Sequence, residues 1–451
     1  MDNFLLVTVD SLRADHVGWH GYERETTPFL TKFAEDSHVF TQTFAHACST
    51  RPSFPSILTS SYPLMYGGFE RISNERTLVS EALSETGHET AGFHSNLYLG
   101  ADFGYDREFD EFFDSKSDPT LTARIRQIVK NKLDHDGIIY RTLAEMFDVA
   151  ERQVGANIGS AYVLAADITD LAVEWVADTD PDRSQFLWVH YMDVHHPYLP
   201  PEEYQLNIRD KPISDRRSIQ LRRKMIEEPE KVTEAEVSDI IDLYDAEIRY
   251  TDSQIKRLIE NVRNTWSGET IVTITADHGE EFKDHGRFSH YTTFHDEVLQ
   301  VPLLMDIPSD SGSRNDDLVG LLDLTPTLVD YAGGEQSDAF HGSSLRSLIE
   351  DNEWDRTEIF ANWEDENERR FAYRDKEWKY IRMKSEESLY DMQNDPDESE
   401  NVIQENPRVT DRLRDVVDNH VEQVDATMTD IGDVEMDESV KSRLRDLGYK
   451  E

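Results

Sequence analysis

Three stretches of this chain end an apolar run in side chains that can bind a cation or move a proton. "FLLVTVD" closes on Asp10, "ETIVTITADHGEE" on Asp277 and His278, and "SQFLWVHYMDVHHPY" on His190, Asp193, His195 and His196. A fourth stretch, "ACSTRPSFPSILTSSYP", crowds hydroxyl groups around prolines and carries the chain's one cysteine, Cys48. Carboxylates and imidazoles together suit a divalent ion or general acid–base work, and a hydroxyl beside them is a candidate nucleophile.

Runs of β-branched and apolar residues that stop at a polar group read as buried parallel strands. In open α/β sheets ligands bind beyond the carboxyl ends of the strands, so the three clusters are expected to converge on one rim. Between them lie helical patterns. Ile168, Leu171, Trp175 and Val176 in one segment, and Ile241, Tyr244, Ile248, Ile255 and Ile259 in another, follow helical spacing for a face packed on a sheet. Alternating strands and helices predict a doubly wound, mostly parallel sheet. Residues 119–160 read as helical without clear phase, as an insertion or lid. From about Thr357 the texture changes. "TEIFANW", "RRFAYRD" and "WKYIRM" predict a small antiparallel sheet, followed by an acid-rich tail with two short helical patterns. The expected division is a catalytic domain over 1–350, with the insertion at about 115–160, and a small α+β subdomain over 351–451.

Around Thr50 the prolines suggest a helix start. Pro52 suits a first turn, where its missing N–H is not needed, and Pro55 is expected to be tolerated there too. Thr50 would then stand at a helix N-terminus, where unpaired N–H groups and the dipole favour an anion.

The composition narrows the partners. The chain has 451 residues, 92 acidic against 46 basic, and a formal charge of -46. Such a surface repels phosphate backbones and anionic membranes, which argues against nucleic-acid or lipid-surface binding. The acid is spread along the whole length, with Arg commoner than Lys, as in proteins of salt-accumulating halophiles. In molar salt the Debye length falls to about 3 Å and the self-repulsion is screened. One cysteine makes no internal disulfide. "MDNFLLVTVD" does not read as a signal peptide, and no run approaches the roughly 18 apolar residues of a membrane span. A cytoplasmic protein is the expectation.

"T-R-P-S-F-P-S-I-L-T-S", Thr50 to Ser60, resembles the sulfatase signature of Cys or Ser, x, Pro, Ser, Arg and then Leu-Thr-Gly. "VDSLRADHVGWHGYERETTPFLTKFA", "HYMDVHHPY", "TADHGEEFKDHGRFSHYTTFHDEVLQVPLLM", "LLDLTPTLVDYAG", "WKYI" and "SLYDMQNDPDESENV" are similar to further landmarks of that family, in the same order. The resemblance is to sulfatase-like hydrolases of the alkaline phosphatase superfamily and covers nearly the whole chain outside residues 115–160. It implies an alkaline-phosphatase-like fold and one divalent metal ion held by Asp10, Thr50, Asp277 and His278. It further implies Thr50 as nucleophile, His195 as the group that protonates the leaving oxygen, and His290 at a position where many relatives bind the substrate anion through lysine. The implied partner is a small-molecule or glycan sulfate or phosphate ester. His190, His196, His285 and His295 are expected to be hydrogen-bonded structural histidines or to support the site from behind, Asp193 to orient one of them, and Glu280 and Asp284 to solvate a loop or support the site from behind.

Two departures matter. Ser11 and His278 stand where calcium-binding relatives place oxygen ligands, which favours Zn²⁺, Mn²⁺ or Mg²⁺ over Ca²⁺. Thr50 stands where relatives carry the Cys or Ser that becomes formylglycine, and Phe54 replaces the signature arginine. A threonyl ester must be opened by water attacking the transferred group, as in phosphodiesterases and phosphoalcohol transferases with threonine nucleophiles. Sulfate and phosphate esters both remain open at this point, as does transfer to an alcohol. A non-catalytic anion-binding module is a further alternative.

Overall fold

The computed structural model describes residues 2–115, 162–180, 182–290, 293–308, 310–365, 368–384, 386–429 and 431. The expected insertion at 119–160 lies outside them. Eight strands form the large sheet: β1 (Asn3–Val9), β2 (His38–Phe44), β3 (Glu89–His94), β4 (Glu111–Phe113), β5 (Gln185–Tyr191), β6 (Thr270–Ala276), β7 (Leu303–Asp306) and β8 (Arg314–Gly320). Their order is β4-β3-β5-β1-β6-β7-β2-β8. All neighbours run parallel except at β7, which is antiparallel to both β6 and β2. Every residue of β1, β5 and β6 is buried, as expected where helices cover both faces of a sheet.

Four helices position or brace the rim of this sheet: α1 (Thr50–Thr59), α2 (Ala165–Asp178), α3 (Glu234–Thr265) and α4 (Pro407–Ala426). Helix α3 starts in a capping box, with Thr233 Oγ1 accepting from the Glu236 backbone N–H and the Glu236 carboxylate accepting from that of Thr233. Its core face carries Tyr244, Ile248, Ile255 and Ile259 as the spacing predicts, but Ile240 is buried where Ile241 is only half-buried. The phase is one residue off at the first turns.

The small sheet is antiparallel, in the order β12-β11-β10-β9, from β9 (Ile359–Asp365), β10 (Glu368–Arg374), β11 (Trp378–Met383) and β12 (Glu386–Asp391). The fourth strand comes from "EESLYD", part of a landmark motif but not expected as a strand. Of the helical character expected toward the end, the described residues contain one twenty-residue helix, α4, and residues 432–451 lie outside them. Its buried Leu413, Val417 and Val424 pack with Phe371 and Tyr380 of the small sheet and with Tyr62, Leu64 and Met65 of the large unit.

Candidate active site

Strand register brings the carboxylates together. Val9 pairs with Tyr191 on one side and Ala276 on the other. Asp10 and Asp277, each the next residue, therefore emerge side by side at the carboxyl ends of the two central strands. Ser11 fixes both: its hydroxyl donates to Asp10 Oδ1 at 2.7 Å and its backbone N–H to Asp277 Oδ1 at 3.2 Å. It does so from a left-handed backbone, φ 56°. The Tyr244 hydroxyl, from α3, donates to the Ser11 carbonyl at 2.7 Å.

Thr50 is the first residue of α1, with Ser49 as an extended N-cap. Its hydroxyl donates to Asp10 Oδ2 at 3.2 Å, and Oγ1 is 3.3 Å from His278 Nε2. Pro52 lies in the first turn as expected. Pro55 does not, and the expectation that it falls among unneeded donors is corrected. It is the sixth residue of the helix, so it removes an N–H that would reach the Arg51 carbonyl. The helix ends within a turn, at Ser60 in the left-handed region.

His278 donates through Nδ1 to its neighbour's carbonyl, Gly279 O, at 2.8 Å. A neutral ring so held turns the Nε2 lone pair inward, 3.5 Å from Asp277 Oδ2 and 3.8 Å from Asp10 Oδ1. Burial, with His290 adding to it, pushes the His278 pKa down to about 3, so the ring stays neutral. Burial raises the Asp10 carboxyl, but His195, His190 and His278 outweigh it and hold it below the usual range. Burial and the charge of Asp10 push Asp277 up. Among the described residues the only ion-pair partners of these two carboxylates are histidines. One ligand atom each from Asp10, His190 and Asp277 lies within 4.8 Å of the others. Buried carboxylates facing an imidazole lone pair fit a divalent cation.

His195 and His290 lie beside this group. His195 donates through Nδ1 to the His196 carbonyl at 2.7 Å, and its ring centroid is 5.4 Å from that of His290. The rings of His290 and His278 are 4.2 Å apart. Burial lowers both titrations, that of His290 to about 4. Thus Asp10, Thr50, Asp277, His278, His195 and His290 meet in one place, all fully buried.

One reading of the sequence needs revision and two open ones are narrowed. Of the two readings of Glu280, solvating a loop falls and supporting the site holds: it is fully buried, accepts from Tyr198 Oη at 3.3 Å, and lies 3.3 Å from His290 Nδ1. Burial pushes its carboxyl up to about 7. Asp193 does not hold a histidine; its Oδ1 accepts the Ala165 backbone N–H at 3.1 Å, at the start of α2. Of the two places left open for His190, the structure gives the one at the site, beside Asp10 and Asp277. Arg13, which the sequence does not single out, donates to the Glu280 carbonyl at 3.0 Å and pairs with Asp284 at 2.9 Å, tying down the loop after β6. The acid doublet after "DHG" is the only signal for Glu280, and it resembles solvent-facing charge.

Comparison with known proteins accords with this geometry. Residues 2–334 match the Sulfatase family, and residues 283–426 match the family described as N-sulphoglucosamine sulphohydrolase, C-terminal. An arylsulfatase of Clostridium perfringens is 24% identical over 95% of this chain and 96% of its own. Arylsulfatase K of Xenopus laevis is 30% identical over 41% of this chain, a match spanning 38% of that protein. Among solved structures, the phosphonate monoester hydrolase of Agrobacterium radiobacter superposes with a TM-score of 0.71 at 19% identity, covering 94% of this chain and 96% of that one. A protein solved with its substrate D-glucosamine-2-N,6-O-disulfate gives a TM-score of 0.72 at 17% identity, over 96% of this chain and 100% of that one. With the family model matched over residues 2–334, most of its length, this chain belongs to the sulfatase family.

Proposed function

We propose that this protein is a metal-dependent hydrolase of sulfate or phosphate esters in which Thr50 is the nucleophile. Asp10, Asp277, His278 and Thr50 would hold one divalent ion, with Zn²⁺, Mn²⁺ or Mg²⁺ suited to the mixed donor set. When bound, the ion supplies positive charge that lowers the cost of ionising a hydroxyl and of charge building on a tetrahedral anion. The observation that carries the reading is the placing of Thr50 Oγ1 at a helix N-terminus, 3.2 Å from Asp10 Oδ2.

In the first step Thr50 Oγ1 forms a bond to sulfur or phosphorus as the ester oxygen leaves. The threonine proton departs to Asp10 Oδ2, the carboxylate oxygen that accepts from it at 3.2 Å, while the His278 Nε2 lone pair would be kept for the ion. His195 would protonate the leaving oxygen as the imidazolium, the form in which Nε2 carries a proton while Nδ1 donates to the His196 carbonyl, and His290 would hold the anion's remaining oxygens. Water then attacks the transferred sulfuryl or phosphoryl group; one of its protons restores His195 and the other passes to solvent, while Asp10 returns its proton to the Thr50 oxygen as that bond breaks. No aldehyde is needed. The even acidic surface, with a charge of -46, supports work in concentrated salt. Sulfated or phosphorylated sugars suit this reading, since relatives in the fold include a protein holding a glucosamine disulfate. Delivery of the group to a second alcohol, as in a transferase, is the variant reading supported by threonine in place of a formylglycine precursor.

The test is parallel turnover of nitrophenyl sulfate, nitrophenyl phosphate and bis-nitrophenyl phosphate in molar salt, with Thr50→Ala as control. Loss of turnover by at least about 10³-fold in the variant is expected. Turnover that survives Thr50→Ala would refute the nucleophile, and activity confined to the diester would remove sulfate from the substrate range.

A further inference from the structure

We propose that His190 is itself a ligand of the divalent ion, so that the site carries two imidazoles with two carboxylates; this rests on the proposed function above. His190 Nε2 is buried and has no hydrogen-bond partner among the described residues. It lies 3.7 Å from Asp10 Oδ2, and Asp10, His190 and Asp277 each offer an atom to a common space. That distance is too long for a hydrogen bond. It matches two ligands of one ion, because atoms each about 2.1 Å from a tetrahedral centre stand about 3.4 Å apart.

The ring is held for this. Strand β5 sets His190 in register with Thr8 of β1. Nδ1 of His190 is 3.0 Å from Thr8 Oγ1, which also receives the Trp188 indole N–H at 3.1 Å. The Phe54 ring, from α1, packs against it nearly perpendicular, with centroids 4.9 Å apart. A threonine oxygen has two lone pairs, so it can accept from Trp188 and from His190 Nδ1 together. In that arrangement the Nε2 lone pair points at the carboxylates. In the other, Thr8 donates to Nδ1, and a proton on Nε2 faces Asp10 and bars coordination. The two arrangements predict different metal spectra.

Two imidazoles shift the selectivity. Nitrogen donors suit Zn²⁺, Co²⁺ and Mn²⁺, whereas Ca²⁺ and Mg²⁺ take oxygen. Pulsed EPR of the Mn²⁺-loaded full chain counts coordinated imidazole nitrogens. Two are expected in the wild type and one in each of His190→Gln and His278→Gln. Chelator competition should show Zn²⁺ affinity falling at least about 10²-fold in His190→Gln, the upper end of what outer partners cost, with Ca²⁺ affinity moving less than about threefold. A single nitrogen in the wild type, kept in His190→Gln and lost in His278→Gln, overturns ligation by His190 and leaves the proposed function standing. Equal weakening toward both cations also overturns it. A wild-type protein that binds no divalent ion overturns both proposals. The wild-type spectrum decides even if a variant fails to fold.

Discussion

Lys379 Nζ, on the small sheet, lies 2.7 Å from Asp296 Oδ1, at the start of the short helix that follows the site loop. The same ammonium is 2.8 Å from Glu398 Oε1, and all of it is buried. Arg374 adds a second cation to Asp296 at 2.9 Å. Burial opposes these charges, but their partners prevail, holding Asp296 low and Lys379 high. Removing one member leaves uncompensated buried charge. Lys379→Met is therefore expected to cost about 3–5 kcal/mol, read by denaturant unfolding, while a surface exchange such as Lys32→Met costs under about 0.5 kcal/mol.

His285 belongs to the same junction. Its ring stacks on His295 at 3.6 Å, its Nδ1 pairs with Glu297 Oε1 at 2.8 Å, and its Nε2 faces the Glu398 carbonyl. The hydrogen bond to Glu297 raises the imidazole from 6.5 to about 9, against partial burial. A raised imidazole stabilises the fold fully below the unfolded value and loses that contribution as pH climbs through the folded one. Stability is expected to fall between about pH 6.5 and 9, and His285→Gln to flatten that slope. Melting temperatures across that window, for both proteins, check it.

His195 bears on the leaving group. If it delivers the proton, His195→Gln should hurt esters of poor leaving alcohols far more than nitrophenyl esters. A loss of about 10²–10⁴-fold on an alkyl ester, shrinking toward unity as the leaving group grows more acidic, is expected. A uniform loss across the series would mean that His195 only binds.

Salt should stabilise the protein. With a formal charge of -46, dilute buffer leaves the self-repulsion unscreened. The melting temperature is expected to rise steadily from about 0.1 M to about 3 M KCl, and to rise more steeply at low salt than at high. A flat profile would show an acidic coat without salt adaptation.

The large sheet is legible in the sequence because its central strands are apolar runs that stop at polar residues, as in "FLLVTVD" and "ETIVTITAD". Their adjacency follows from the chemistry they carry and matches β5-β1-β6. The small sheet is legible from its aromatic short strands, though not its fourth member, whose charged "EESLYD" lacks a continuous apolar face. Thr50 can be found because prolines and serines around it keep a fixed spacing. Glu280 is legible only as one of two alternatives, because a burial that reverses a carboxylate's usual habit depends on Tyr198, from a distant segment, and on His290. His190 is visible as a candidate but its place is not, because its neighbour in register, Thr8, is known only once two strands are paired.

Because Asp10, His190 and Asp277 cap or close three side-by-side strands, an ion shared among them would act as a rivet through the middle of the molecule. Taking it away would then do more than silence chemistry. Free ion at about a hundred times its dissociation constant adds about 2.7 kcal/mol to the folded state, so a chelator should lower the temperature at which the whole sheet comes apart.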